Sequence, residues 1–268
     1  MDTLKEKYAA LIALLSGTGK LAVAFSAGVD STFLLKAARE ALGENVIALT
    51  AQTVAFPARE GDASAEICRA LGVEQVAVPV DLMAVEGFRE NPPERCYLCK
   101  KALFTAMQAA ARERGFGCVA EGSNTDDAGD YRPGLRALRE LGIRSPLREA
   151  GLSKAEIREL SRRLELPTWD KPSYACLATR IAYGQEITPE ALEKVETAEQ
   201  YLYGLGFRQV RVRVHGDLAR IEIPREQFPL LLPTTADAIH LRLRQLGFRY
   251  VALDLGGFES GSMNRALS

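Results

Sequence analysis

Several things are scarce in this 268-residue chain, and each scarcity excludes something. No apolar run approaches the roughly 20 residues that a helix needs to cross a bilayer, so a membrane protein is not expected. No basic block stands out either: 34 Lys and Arg face 35 Asp and Glu, for a net charge of −1. Tight nucleic-acid binding through phosphate neutralisation is therefore disfavoured. Cysteine is sparse and odd in number, at five. That argues against a disulfide framework and for a reducing, cytoplasmic setting. Only two histidines occur, His215 and His240, both late in the chain, so a closed four-ligand zinc site is short of partners. The opening stretch MDTLKEKYAALIALLSG carries Asp2 and Glu6 and no small-residue cleavage signal. It reads as an amphipathic helix and not as a secretory leader.

What is present is a regular alternation. Short apolar runs at 21–26, 45–52, 74–82 and 118–123 are spaced by helical patterns at 31–42, 60–72 and 96–115. Strands and helices in turn predict an α/β fold with a doubly wound parallel sheet. A further helix is expected at 153–166, with Ser153 as cap and Glu156 three residues on. The stretch 167–187, with Pro167, Pro172 and Gly184, is irregular. Beyond it come a helix opened by Thr188 and Pro189, a hairpin around Gly216-Asp217, a helix at 235–247 and a strand at 250–255. This order predicts a small C-terminal α+β domain at 187–268, after a larger domain at 1–186. No internal repeat or low-complexity tract is visible.

The segment FSAGVDSTFLL (25–35) lies where the first strand meets the first long helix after it. Backbone N–H groups at a helix N-terminus, with the dipole behind them, bind phosphate oxygens. Gly28 permits close backbone approach, and Ser26 and Ser31 add hydroxyls; the alternative is an ordinary βα loop with serine as cap. SGTGK (16–20) mimics the end of a Walker A loop, but its spacing is wrong and Leu21 follows the lysine. It is a helix-terminating turn.

The cysteines divide by context. Cys68 and Cys118 sit in apolar patterns and read as packed small hydrophobes. Cys96-x-x-Cys99 opens a helix, where the positive end favours thiolate. Cys176 lies in the polar stretch WDKPSYACLATR, between Lys171 and Arg180. Three readings of this trio stay open: an incidental or weakly redox-active CxxC, zinc, or a [4Fe–4S] cluster with one iron left open. In QVRVRVHGDLARIEI, alternation puts Val210, Val212 and Val214 on one face and Arg211, Arg213 and His215 on the other, beside Arg220 and Glu222. That charged face is either solvated or a binder of phosphate and carboxylate.

SAGVDS resembles the pyrophosphate loop S-G-G-x-D-S of the PP-loop ATP pyrophosphatases, which adenylate a substrate and release pyrophosphate; Ala27 stands where the family usually has glycine. EGSNTDDAGDYRPG (121–134) resembles their second nucleotide segment. The resemblance implies an adenine nucleotide alpha hydrolase-like fold. It implies ATP held by Ser26, Ala27, Gly28, Val29, Asp30 and Ser31 together with Thr125, Asp126 and Asp127, the last two candidates for organising Mg²⁺. With ERCYLCK, DKPSYACLATR and RVRVHGDLARIE added, the whole chain resembles the LarE family. These are ATP-dependent sulfur transferases of nickel-pincer cofactor (lactate racemase) biosynthesis.

That resemblance implies a pyridinium-3,5-dicarboxylate mononucleotide as substrate. A ring carboxylate is adenylated and the thiol at Cys176 attacks the acyl-adenylate. In a sacrificial version Cys176 gives up its sulfur and becomes dehydroalanine; in a second version a CxxC pair helps hold a [4Fe–4S] cluster that supplies sulfide. Cys96 and Cys99 beside Cys176 resemble the second. Arg180, Glu199, Arg211, Arg213 and Glu222 are implied as substrate-binding, and a homohexamer is the implied assembly. Trp169 and Tyr97 are candidates for stacking on an aromatic ring. The rivals are a tRNA thiolase, for which no broad basic surface is apparent; an amide-forming synthetase, which has no use for Cys176; and a nonenzymatic nucleotide-binding module.

Overall fold

A computed structural model of the chain describes residues 3–129, 133–172, 176–259 and 262–263, with the backbone alone at 58–60, 62, 128 and 129. Parts of two stretches singled out above, at 130–132 and 173–175, lie outside the described residues. Two compact units interleave along the chain. One comprises Met1–Thr53, Ala58–Leu82 and Cys96–Tyr174; the other comprises Val54–Pro57, Met83–Arg95 and Ala175–Ser268.

The first unit runs α1 (Thr3–Ser16), β1 (Leu21–Ala24), α2 (Val29–Leu42), β2 (Val46–Gln52), α3 (Ala58–Leu71), β3 (Glu74–Pro79), α4 (Arg95–Glu113), β4 (Val119–Ala120), α5 (Gly134–Glu140), α6 (Pro146–Glu149) and α7 (Lys154–Arg163). Its strands are parallel and ordered β3-β2-β1-β4. In β1, Leu21, Ala22 and Val23 are all buried, which is why LAVA is an unbroken apolar run: a central parallel strand is covered on both faces. Leu11 and Leu15 of α1, Phe33 and Leu34 of α2, and Ile157 and Leu160 of α7 join β1 in one core. The chain steps outward from β1 to β3, then returns to the other side of β1 for β4. That reversal is a topological switch point, where open α/β sheets bind ligands beyond the carboxyl ends of the strands. The α/β fold with a parallel sheet is thus the one expected.

The strand expected at 118–123 is only two residues long. Beyond it the chain turns to bond its own side chains: the Glu121 carboxylate accepts from Ser123 N (3.1 Å) and Ser123 Oγ (2.7 Å). The helix α7 starts as its sequence requires. Glu156 N donates to Ser153 Oγ (3.3 Å) and Ser153 N donates to Glu156 Oε2 (2.9 Å), a reciprocal capping box.

The second unit contains α8 (Pro189–Gly204), β5 (Arg211–His215), β6 (Leu218–Glu222), α9 (Pro233–Gln245) and β7 (Tyr250–Leu253). Thr188 caps α8 by accepting from Ala191 N at 3.1 Å. Gly216, at φ 60°, turns the antiparallel hairpin β5–β6, and α9 crosses over to place β7 parallel to β6. Val210, Val212, Val214, Ala219, Ile221 and Ile223 are buried, as their alternation predicts. The outer edge of β5 is covered by the segment after Cys176: Ile181 bridges Val214, and Ala182 N donates to Val214 O at 3.3 Å. Among the described residues no helix is long and apolar enough to cross a membrane.

Ser153→Ala removes the cap of α7. It is expected to cost about 1 kcal/mol, read as a lower urea midpoint with an unchanged slope.

Candidate active site

The loop after β1 lies at the switch point. Gly28 is the N-cap of α2 and makes no side-chain cap bond, so the reading of this turn as a serine-capped helix start does not hold. Ser31 is used inside the loop instead: its hydroxyl donates to Gly28 O (3.3 Å), accepts from Ser26 N (3.3 Å) and lies 3.2 Å from Ser26 Oγ. The first turn of α2 therefore keeps its N–H groups uncapped by a side chain, as an anion site requires. Ala27 is held at φ 52°, a conformation that costs an L-residue roughly 1 kcal/mol and that glycine adopts without strain. The methyl of Ala27 is fully buried.

Two cations from later in the chain tie this loop down, and a third braces one of them. Lys154 Nζ pairs with Asp30 Oδ2 at 2.5 Å. Four residues on, and so on the same helical face, Arg158 donates to Trp169 O (2.7 Å) and Lys171 O (2.9 Å). Lys171 Nζ in turn donates to Ala27 O at 3.0 Å.

The segment after β4 meets the loop from the other side. A Cβ added at Gly122 would lie 3.1 Å from Ser31 N and 3.2 Å from the Asp30 carbonyl carbon, so any other residue would push the helix start back by a few tenths of an ångström. Asn124 Nδ2 reaches Asp30 Oδ1 at 3.4 Å. Asp126 accepts from Lys154 N (2.9 Å), Asp127 accepts from Asn124 N (2.9 Å), and Thr125 Oγ1 donates to Leu152 O (3.2 Å). Each of the three therefore holds the segment's shape, and the nucleotide residues read from both motifs are gathered in one place.

Cys96 and Cys99 occupy the first turns of α4, the former half-buried and the latter buried. Between them, Tyr97 is clamped: its hydroxyl donates to Glu140 (2.6 Å), Lys101 donates to it (2.9 Å), and the Arg136 guanidinium lies 3.9 Å from its ring centroid. Trp169 is exposed. Cys68 is buried, and burial pushes its thiol up to about 11; burial also raises the thiol of Cys118. No disulfide joins the cysteines. Among the described residues no three His, Cys, Asp or Glu side chains gather as a metal site.

Cys176 belongs to the second unit, half-buried at the head of a 3-10 turn, Leu177–Arg180. Its carbonyl accepts from Thr179 Oγ1 (2.7 Å), Thr179 N (3.0 Å) and Arg180 Nη1 (3.1 Å). Arg180 is 1% exposed and forms a two-point ion pair with Glu199, at 2.8 and 2.9 Å. Glu199 Oε1 also accepts from Val212 N at 3.0 Å. Arg213 pairs with the fully buried Glu222 (2.9 Å), donates to Thr179 O (2.9 Å), and shares Glu222 with Ser262. Arg211 lies over the Phe258 ring, 5.1 Å from its centroid. The charged face of the hairpin is therefore not a solvated one: Arg211 and Arg213 are each 4% exposed. Burial lowers the pKa of both guanidiniums from their ordinary value, yet arginine stays charged near neutral pH. Burial and the charges of Arg220 and Arg213 hold His215 below its usual range.

No protein-family model matches the chain. A curated protein of Lactiplantibacillus plantarum (strain ATCC BAA-793 / NCIMB 8826 / WCFS1), pyridinium-3,5-bisthiocarboxylic acid mononucleotide synthase, is 39% identical over 100% of this chain and 97% of its own length. The chain belongs to the LarE family. An uncharacterized protein of Synechocystis sp. (strain ATCC 27184 / PCC 6803 / Kazusa) is 43% identical over 92% of each chain. The argininosuccinate synthase of Haloarcula marismortui (strain ATCC 43049 / DSM 3752 / JCM 8966 / VKM B-1809) is more distant, at 28% identity over 56% of this chain and 38% of its own length. As a LarE-family member with the PP-loop fold, the protein is an ATP-dependent, sulfur-transferring enzyme.

The sequence motifs do not single out four residues that the structure brings to this loop or to the segments that brace it. Gly122 and Asn124 lie inside a quoted motif, but their closeness to Asp30 shows only in three dimensions. Lys154 and Arg158 lie on a helix whose amphipathic pattern explains them equally well as surface charges.

Gly122→Ala sets a methyl 3.1–3.2 Å from the backbone at the start of α2, which must shift to take it. It is expected to weaken ATP binding at least tenfold, measured by calorimetry, with a stability loss of about 1–3 kcal/mol.

Proposed function

We propose that this LarE-family enzyme adenylates a carboxylate of a pyridinium-3,5-dicarboxylate mononucleotide and converts it to a thiocarboxylate, with Cys176 as the attacking thiol. One observation carries the reading: the uncapped first turn of α2 stands at the switch point, with Asp30 held by Lys154 and Asn124. Phosphates bound by those N–H groups leave the α-phosphorus to be attacked by the substrate carboxylate, and pyrophosphate departs. The Cys176 thiolate then attacks the acyl carbon and AMP leaves, giving a thioester.

In the sacrificial route a base removes the Cα–H of Cys176, the Cβ–S bond breaks, and the sulfur leaves as thiocarboxylate. The chain is left with dehydroalanine, having lost the elements of H₂S. The carbonyl bonds from Thr179 and Arg180 hold Cys176 in its turn while this happens, since they fix the backbone and make no use of the sulfur.

Substrate anions need positive charge that is already desolvated. Arg211 and Arg213 supply it, and Arg180, Glu199 and Glu222 complete the buried set that keeps these guanidiniums in place. Mg²⁺ would be carried chiefly by triphosphate oxygens with one or two carboxylates from Asp30, Asp126 and Asp127, which suits a site without a dedicated cage. In chemistry, the thiols of Cys96, Cys99 and Cys176 suit a [4Fe–4S] cluster with one open iron. Such a cluster, when bound, would supply sulfide and spare the chain. Exposed Leu230, Leu232, Leu241, Tyr250 and Leu255 on the second unit support its use in oligomerisation, as a hexamer by family resemblance.

Cys176→Ala is expected to keep ATP binding and pyrophosphate release and to lose thiocarboxylate formation. Unchanged multi-turnover product from that variant overturns the assignment. Intact mass of anaerobic wild-type protein separates the sulfur sources. Loss of H₂S in step with product marks the sacrificial route. An unchanged mass with about four iron per chain, falling in Cys96→Ala, marks the cluster.

A further inference from the structure

We propose that Lys171 is a phosphate-binding residue of the ATP site, contacting the β- or γ-phosphate that leaves as pyrophosphate. The inference rests on the adenylation reading and deepens it. Lys171 stands in the irregular stretch between α7 and Cys176, where its charge is explained equally well as a neighbour of that thiol. The structure instead sends its ammonium to Ala27 O, 3.0 Å away, in the middle of the SAGVDS loop.

The placement is prepared. Arg158 holds the carbonyls of Trp169 and of Lys171 itself, so the backbone that delivers the ammonium is fixed before any ligand arrives. Little further ordering entropy remains to be lost on binding. Charge balance calls for such a group. The N-terminus of a helix offers the equivalent of only about half a positive charge, against the several negative charges of a triphosphate. The loop's own carboxylate, Asp30, already engages Lys154. A lysine ammonium is a compact point charge suited to phosphate oxygens, and a neutral carbonyl is a partner it can exchange for one of them. Lys171 also lies five residues before Cys176, at most about 18 Å of extended chain.

The test is calorimetric titration of the full chain with ATP and with AMP, for wild type, Lys171→Gln and Lys171→Arg, with thermal melts alongside. Lys171→Gln is expected to weaken ATP at least tenfold and AMP less than twofold, and Lys171→Arg to recover part of the ATP loss. Equal losses for ATP and AMP, or no loss for either, overturn the proposal. If wild type binds ATP but releases no pyrophosphate with substrate, the adenylation reading falls, while the ATP-to-AMP ratio still decides the role of Lys171.

Discussion

A loop of six residues at the end of β1 has to keep its N–H side open while the rest of it is immobile. That requirement organises the first unit. Nothing inside SAGVDS can meet it alone, because Ser31 is used within the loop and Ala27 sits in a strained backbone region. The rigidity comes from later chain: Lys154 on Asp30, Lys171 on Ala27 O, and Arg158 bracing the segment from which Lys171 reaches. The capping box of Ser153 and Glu156 fixes where α7 begins, and so where Lys154 stands. Glycine at 122 lets the β4 segment close against the same helix start.

The second unit solves a different problem. Burying Arg180, Arg213, Glu199 and Glu222 is expensive, and ion pairing in the interior often repays only the desolvation. Such a network contributes little net stability compared with an apolar core. Its return is positional. Both arginines end on carbonyls of the Cys176 turn, at Cys176 O and Thr179 O, and Glu199 also occupies the outer N–H of β5 at Val212. The cysteine is thereby held through its carbonyl, by bonds that make no use of its sulfur.

Much of the architecture was legible from periodicity, because β1 and β2 are apolar runs and the longer helices carry a helical period. The capping box and Thr188 are local chemistry and read directly. The short helices α5 and α6 were not legible, since a span of seven or four residues carries too few turns to show a period. The hairpin alternation placed Arg211, Arg213 and Glu222 on one face, yet could not tell a wet face from a dry one. That depends on Glu199, Thr179 and Ser262, which lie far away in sequence. The residues that fix the loop were hidden for the same reason: the meeting of positions 27, 30, 122, 154 and 171 is a property of the sheet order. The interleaving of 54–57 and 83–95 into the second unit likewise has no periodic signature.

The central claim is that phosphates held at Ser26–Ser31 activate a carboxylate by adenylation. Isotope exchange tests it most directly. Labelled pyrophosphate, unlabelled ATP, Mg²⁺ and the full-length protein are incubated with and without the pyridinium dicarboxylate mononucleotide. Label should enter ATP only when the carboxylate is present, and also in Cys176→Ala, where the acyl-adenylate has no thiol to consume it. Consumption of ATP to ADP and phosphate, with no label returned to ATP in either protein, would contradict the account.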